Sequence, residues 1–186
     1  RNSEDDRIIM FEKGPHVSFS NCALPYHLSG TIEAPNRLVL MSPEKFQAQY
    51  NIEARVNNEV LFIDRKNKEI EVKDLLTGEV YREEYDKLIL SPGARPIVPK
   101  ITGIENVKVF TIRNVVDIDK LNRFIKEIDE KEVVVIGGGY IGVEAAENLI
   151  EGGYKVSLIE ATPQILKPFD YDMVQILHKE MMDHGV

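Results

Sequence analysis

Residues 131–161, KEVVVIGGGYIGVEAAENLIEGGYKVSLIEA, constrain what this chain can fold into more than any other stretch. Residues 133–136 are a short apolar run rich in β-branched side chains, which predicts a strand buried on both faces. Gly137, Gly139 and Gly142 follow as G-x-G-x-x-G, and then comes a helix of small residues that carries Ala145 and Ala146 and ends near Gly152 and Gly153. A second apolar strand over 156–159 ends in Glu160. Each piece has a physical task. Gly137 permits a tight strand-to-helix turn, Gly139 leaves room for a pyrophosphate, and Gly142 lets the helix pack close to the strand. The helix N-terminus offers unpaired N–H groups and partial positive charge to the phosphates. Glu160 stands where an acid accepts hydrogen bonds from the adenosine ribose hydroxyls, and its charge repels a 2′-phosphate, which favours NADH over NADPH. The order of these pieces within about 30 residues points to a dinucleotide-binding βαβ unit, with a βαβ unit that takes no ligand as the alternative.

The flanks fit a doubly wound fold. Residues 114–130 place Ile118, Leu121, Ile125 and Ile128 on one helical face, with Asn114 and Asp117 as a capping pair. Residues 170–184 place Val174, Leu177 and Met181 at helical spacing, with Asp170 starting the helix and Gly185 stopping it. The run is β–α–β–α, shorter than a complete six-stranded domain.

The first half contains a partial copy. DDRIIMFEKGP (5–15) and GYKVSLIEATP (153–163) share a polar start, an apolar run, a Glu and a proline three residues later. If Glu12 is the counterpart of Glu160, its glycine loop belongs about 23 residues upstream, before residue 1. The expectation is a second dinucleotide fold without its first strand, glycine loop and first helix; that Glu12 merely ends an edge strand is the alternative. Residues 54–99 read as an antiparallel excursion, with strands over 70–72 and 79–81 around a Thr77-Gly78 turn. YDKLILSPGARP then reads as strand and loop, with Ser91, Pro92, Gly93 and Ala94 at a strand end where backbone can meet a ligand or simply turn. The fold class expected is α/β: two Rossmann-like doubly wound domains, 1–106 and 107–186, both truncated, with an antiparallel β excursion in the first.

Charge and composition narrow the partners. The formal net charge is −8 with acids and bases intermixed, which argues against nucleic acid and against anionic membrane surfaces. No apolar run approaches the roughly 18 residues that span a bilayer, and RNSEDDR has no signal core. One cysteine cannot close an internal disulfide, so a reducing, cytoplasmic setting is expected. The cysteine and four histidines show no metal-ligand spacing, and His16, His27, His178 and His184 read as surface or packing.

That cysteine, Cys22, lies in SFSNCALPY. Taken by itself, a lone cysteine is more often a small buried filler than a nucleophile. With Cys22 at a cap, residues 23–25 would form a first helical turn, whose N-terminus favours the thiolate.

Taken together, SFSNCALPY with Gly30, DKLILSPGARP and VVVIGGGYIGVEAAENL resemble the FAD- and NAD(P)H-dependent pyridine nucleotide-disulfide oxidoreductases, and within them the coenzyme A-disulfide reductases, along the whole chain. The resemblance implies that Cys22 is the single redox-active cysteine, cycling between thiolate and a mixed disulfide with coenzyme A. It implies that Ser18 and Asn21 contact coenzyme A, and that Glu12, with Lys13 beside it, holds the FAD ribose. Ser91, Pro92, Gly93 and Ala94 would lie along FAD. Gly138 joins the other loop glycines at the dinucleotide, while Tyr140, Ile141 and Glu144 match the segment between nicotinamide and flavin. The implied chemistry passes hydride from NADH or NADPH to FAD, and from there electrons to the disulfide on Cys22. The chain departs from the family pattern in three ways: it has no FAD glycine loop, no later Gly-Asp segment or dimerisation domain, and Tyr50 where a phosphate-binding lysine would be expected. It therefore reads as a segment of a longer protein, homodimeric in full, acting on a small disulfide. The rivals are an NADH oxidase or peroxidase cycling through a sulfenic acid, a persulfide reductase, and a non-catalytic nucleotide-binding fragment.

Overall fold

The structure is a computed structural model and describes residues 5–186. The expectation for the first four residues of RNSEDDR lies outside them. In chain order the elements are β1 (Ile8–Glu12), β2 (Ser18–Phe19), α1 (Tyr26–Ser29), β3 (Val39–Met41), α2 (Pro43–Tyr50), β4 (Ile52–Val56), β5 (Asn58–Asp64), β6 (Glu69–Asp74) and β7 (Val80–Glu84). There follow α3 (Val115–Glu127), β8 (Glu132–Ile136), α4 (Tyr140–Glu151), β9 (Lys155–Ile159) and α5 (Tyr171–Asp183). Two compact units emerge, one of residues up to Phe19 with Val39–Ala94, the other of Ser20–Leu38 with Arg95–Val186. The division expected at 106/107 follows cofactors; the compact units instead group the Cys22 segment with the glycine-loop half.

In the first unit, β1 and β4 run parallel, in register from Ile8 opposite Ile52 to Glu12 opposite Val56. The parallel pairing follows from α2, which carries the chain back between β3 and β4. Ser42 starts α2 by accepting a hydrogen bond from the Lys45 amide, and Asn51, at φ 51°, ends it in the left-handed region. β5, β6 and β7 form an antiparallel sheet. Its β6–β7 turn is the expected one: the Asp74 carboxylate accepts from the amides of Leu76 and Thr77, and Gly78 takes φ +81°. Ile70 and Val72 of β6 are buried.

Two expectations for this region are corrected. Residues 54–56 belong to the parallel strand β4, so the antiparallel excursion begins at Asn58, after Asn57 turns the chain at φ 56°. Residues 88–90 form no strand. Their apolar run suits a strand between neighbours, but none of the described strands pairs with it and Ile89 is 87% exposed.

In the second unit, β8, α4 and β9 form a parallel βαβ unit, with Val133 opposite Val156 and Ile136 opposite Ile159. α3 starts as expected, its Asn114 Oδ1 accepting from the Asp117 amide 2.9 Å away, and buries Ile118 and Ile125. α5 begins after Asp170 and ends at His184 and Gly185, the latter at φ +94°. The reading of β8 as buried on both faces is corrected. Val135 packs toward α4, while Val134 and Ile136 on the opposite face are 56% and 55% exposed, because no described element covers that side. None of the described helices is long and apolar enough to cross a membrane.

Candidate functional site

The glycine loop is built by backbone geometry. Gly137 takes φ +106°, which a side chain rarely adopts, and its amide donates to the Ile159 carbonyl at 2.8 Å. A Cβ on Gly142 would stand 1.9 Å from the Gly137 carbonyl oxygen, so the helix approaches the strand too closely for one. Gly139 faces open space, with nothing within 4 Å of where its Cβ would be. It caps α4 without a side-chain hydrogen bond, leaving the helix's first amides to an outside acceptor. A cradle of open space beside uncapped amides fits a pyrophosphate. Tyr140 and Ile141 are exposed on the first turn, Tyr140 edge-on to Phe169 with ring centres 6.1 Å apart, and Glu144 is half-buried one turn on.

Glu160 does more than end a strand. One carboxylate oxygen accepts from the Gly138 amide at 2.7 Å and the other from the Thr162 amide at 2.7 Å. These bonds, the one from Gly138 foremost, hold its pKa down to about 2. Gly138 is fixed on its other sides as well. Its carbonyl accepts from Leu166 at 2.7 Å, and a Cβ there would meet Ile165 Cγ2 at 2.5 Å. A carboxylate has about four acceptor positions, so two donors leave capacity for ribose hydroxyls.

Cys22 is exposed in the same compact unit. It does not cap a helix: α1 starts only at Tyr26 and has four residues. Residues 23–25 form tight turns instead, with Ala23 donating to the Ser20 carbonyl and Leu24 to the Asn21 carbonyl, both at 3.3 Å. The expected helix-terminal stabilisation of the thiolate is thereby corrected, since a single helical turn lacks the aligned peptides that make a dipole. Asn21 is exposed next to Cys22, and its Oδ1 lies 3.5 Å from Arg113.

The remaining expected residues are in the first unit. Glu12 accepts from the Gly14 amide at 2.6 Å, two residues on, as Glu160 does from Thr162. Lys13 pairs with Glu59 at 2.7 Å. Ser18 is half-buried in β2, and Ser91, Pro92, Gly93 and Ala94 are exposed, with Gly93 at φ +67°. Tyr50 stacks edge-on against Phe46.

Sequence reasoning missed the partners that hold the Cys22 segment. His27 is 2% exposed; its Nδ1 lies 2.6 Å from the Ile32 carbonyl and its Nε2 2.9 Å from Asn122 Nδ2, which is itself 4% exposed. The packing role expected of His27 holds, but a partner 95 residues away leaves no local signal.

Comparisons with known proteins give the chain's family. The family model described as pyridine nucleotide-disulphide oxidoreductase matches residues 1–186. A coenzyme A disulfide reductase of Staphylococcus aureus is 38% identical over 181 residues, which are 97% of this chain and 41% of the relative. The crystal structure of reduced Bacillus anthracis CoADR-RHD superposes with a TM-score of 0.95 at 46% identity, over 99% of this chain and 33% of that one. The water-forming NADH oxidase of Lactobacillus brevis, bound to NADH, superposes at 0.87 and 35% identity, over 98% and 40%. The chain thus spans 41% or less of the length of each of these relatives. Over all 186 of its residues, this α/β chain belongs to the pyridine nucleotide-disulphide oxidoreductase family.

Proposed function

We propose that the protein to which this chain belongs uses NAD(P)H and FAD to reduce coenzyme A disulfide, or a close disulfide or persulfide analogue, through Cys22 as its single redox cysteine. The observation that carries this reading is one compact unit holding both an exposed Cys22 and a glycine loop shaped for a dinucleotide. Support comes from the relatives named for coenzyme A disulfide reduction, at 38% and 46% identity.

Gly139, at the uncapped start of α4, would receive the dinucleotide's pyrophosphate in a loop shaped by Gly137 and Gly142, and Glu160 would hold its ribose. Tyr140, Ile141 and Glu144 would line the path from nicotinamide to flavin, with Gly138 as the fixed point of the loop. Glu12 and Lys13 would face the FAD ribose and residues 91–94 the flavin side; a glycine loop for FAD is not among the residues of this sequence. Flavin, when bound, supplies the relay of two electrons between nicotinamide and sulfur. Cys22, as thiolate, attacks one sulfur of the substrate disulfide and keeps half of it as a mixed disulfide, so no resolving cysteine is needed. Asn21, and Ser18, would orient the retained half.

An NADH oxidase cycling through a sulfenic acid is the second reading, favoured by the 35% identity to a water-forming NADH oxidase. Turnover separates the two. With NADH and added FAD, loss of coenzyme A disulfide is expected; consumption of oxygen without loss of disulfide overturns the first reading. NADH is the expected reductant, and Glu160→Ala should lower NADH affinity about tenfold while narrowing the preference over NADPH.

A further inference from the structure

Four residues of helix cannot hold α1 in place, because a single turn lacks the cooperative ladder that stabilises longer helices. The position of the Cys22 turn must therefore come from tertiary anchors. At one end the Ser20 amide donates to the Leu38 carbonyl at 2.9 Å. From there a run of i to i+3 bonds continues, Ala23 to Ser20, Leu24 to Asn21, His27 to Leu24 and Leu28 to Pro25. At its far end stands His27, buried where α1 packs on α3 and α4.

With the Asn122 amide nitrogen facing the ring, the bonding at His27 takes one protonation pattern. A carbonyl can only accept, so Nδ1 carries the proton and donates to Ile32; Nε2 is then the lone pair that accepts from Asn122 Nδ2. The Asn122 Oδ1 has no hydrogen-bond partner among the described residues, although it is buried. An unpaired buried carbonyl costs stability, and two apolar side chains would fill the same space without that cost. Stability alone does not account for the pair. What it supplies is direction, since one donor and one acceptor fix the ring, and the ring fixes the end of the turn that carries Cys22.

We infer that His27, through Asn122, is a positioning residue for Cys22, setting where its sulfur meets a bulky disulfide substrate. The inference rests on the proposed role of Cys22. In the step concerned, the Cys22 thiolate attacks one sulfur of coenzyme A disulfide, forms a Cys22–coenzyme A disulfide and releases one coenzyme A thiolate, with no net change in oxidation state.

The test compares two reactions of Cys22 in the same chain: exchange with coenzyme A disulfide, which needs a placed sulfur, and alkylation by iodoacetamide, which needs only access. Asn122→Ala should slow the exchange about tenfold and leave alkylation within about twofold, the scale of one lost buried hydrogen bond. Circular dichroism and NADH binding report whether the unit stays folded. Should Asn122→Ala unfold it, His27→Gln and His27→Asn decide. Gln places an acceptor near Nε2 and keeps the Asn122 bond, whereas Asn keeps only the donor to Ile32. Exchange near the unsubstituted rate in His27→Gln and slowed in His27→Asn supports the inference. Equal exchange rates in folded variants overturn it, as does a parallel fall in both reactions, which would mean an altered thiol rather than a displaced one. If the unsubstituted chain is alkylated but never exchanges, the role of Cys22 falls and the inference with it.

Discussion

A carboxylate that accepts two backbone N–H bonds is a different acid from one in water, and Glu160 is in that state. Its pKa falls from an ordinary 4.5 to about 2, caused first by the Gly138 bond and then by the Thr162 bond. Because the folded-state value is depressed, the clamp's contribution is fully present above about pH 4.5 and is lost as pH falls toward about 2. The Gly138 amide resonance should accordingly hold steady between about pH 7 and 4.5 and move with a midpoint near 2. A midpoint near 4.5 would show that the clamp does not form, and Glu160→Gln should abolish the titration. Gly137 offers a second test at this scale. At φ +106° an alanine is strained, so Gly137→Ala should destabilise the chain by about 1–3 kcal/mol in urea unfolding and weaken NADH binding. Both residues were legible in the sequence because their tasks are local: a turn that needs glycine, and an acid at a strand end. The Glu160–Gly138 bond was not, since the G-x-G-x-x-G pattern says nothing about what holds its second position.

At the scale of elements, legibility followed how much of an element's stability is its own. α3 carries its start signal and its buried face in sequence, and both are where the spacing of Asn114, Asp117, Ile118 and Ile125 put them. α5 was equally legible, yet the two N-caps differ: Asn114 makes its capping bond, and Asp170 makes none. Asn114→Ala should therefore cost about 1 kcal/mol in urea unfolding, and Asp170→Ala less than half of that. Equal losses would contradict the cap assignments. The sequence reading placed the first turn at residues 23–25, whereas α1 runs from Tyr26 between Pro25 and Gly30, with tertiary anchors at Leu38, Ile32 and Asn122 deciding its position. The run at 88–90 failed for a related reason. An apolar stretch states that a strand can be buried, not that a neighbour is there to pair with it.

For the whole chain, the organising fact is how the compact units partition it. The segment with Cys22 leaves the first unit at Ser20 and returns to it at Val39, packing meanwhile with the glycine-loop half. A division read along the sequence cannot show such an excursion, because it depends on contacts such as His27 with Asn122. The consequence is that thiol and glycine loop should respond together to unfolding of their common unit. Urea that releases NADH should remove the protection of the His27 and Leu28 amides from exchange over the same concentration range, as one cooperative unit does. The internal likeness of Glu12 and Glu160, each accepting from the amide two residues on, is the part of the two-fold reading that local geometry carries.

The central claim is that Cys22 takes up half of a coenzyme A disulfide, and intact-mass spectrometry of the chain after incubation with coenzyme A disulfide measures it most directly. The expected result is a single added coenzyme A, located on Cys22, removed by a thiol reductant and absent from Cys22→Ser. An unmodified Cys22 that is nonetheless open to alkylation would contradict the claim.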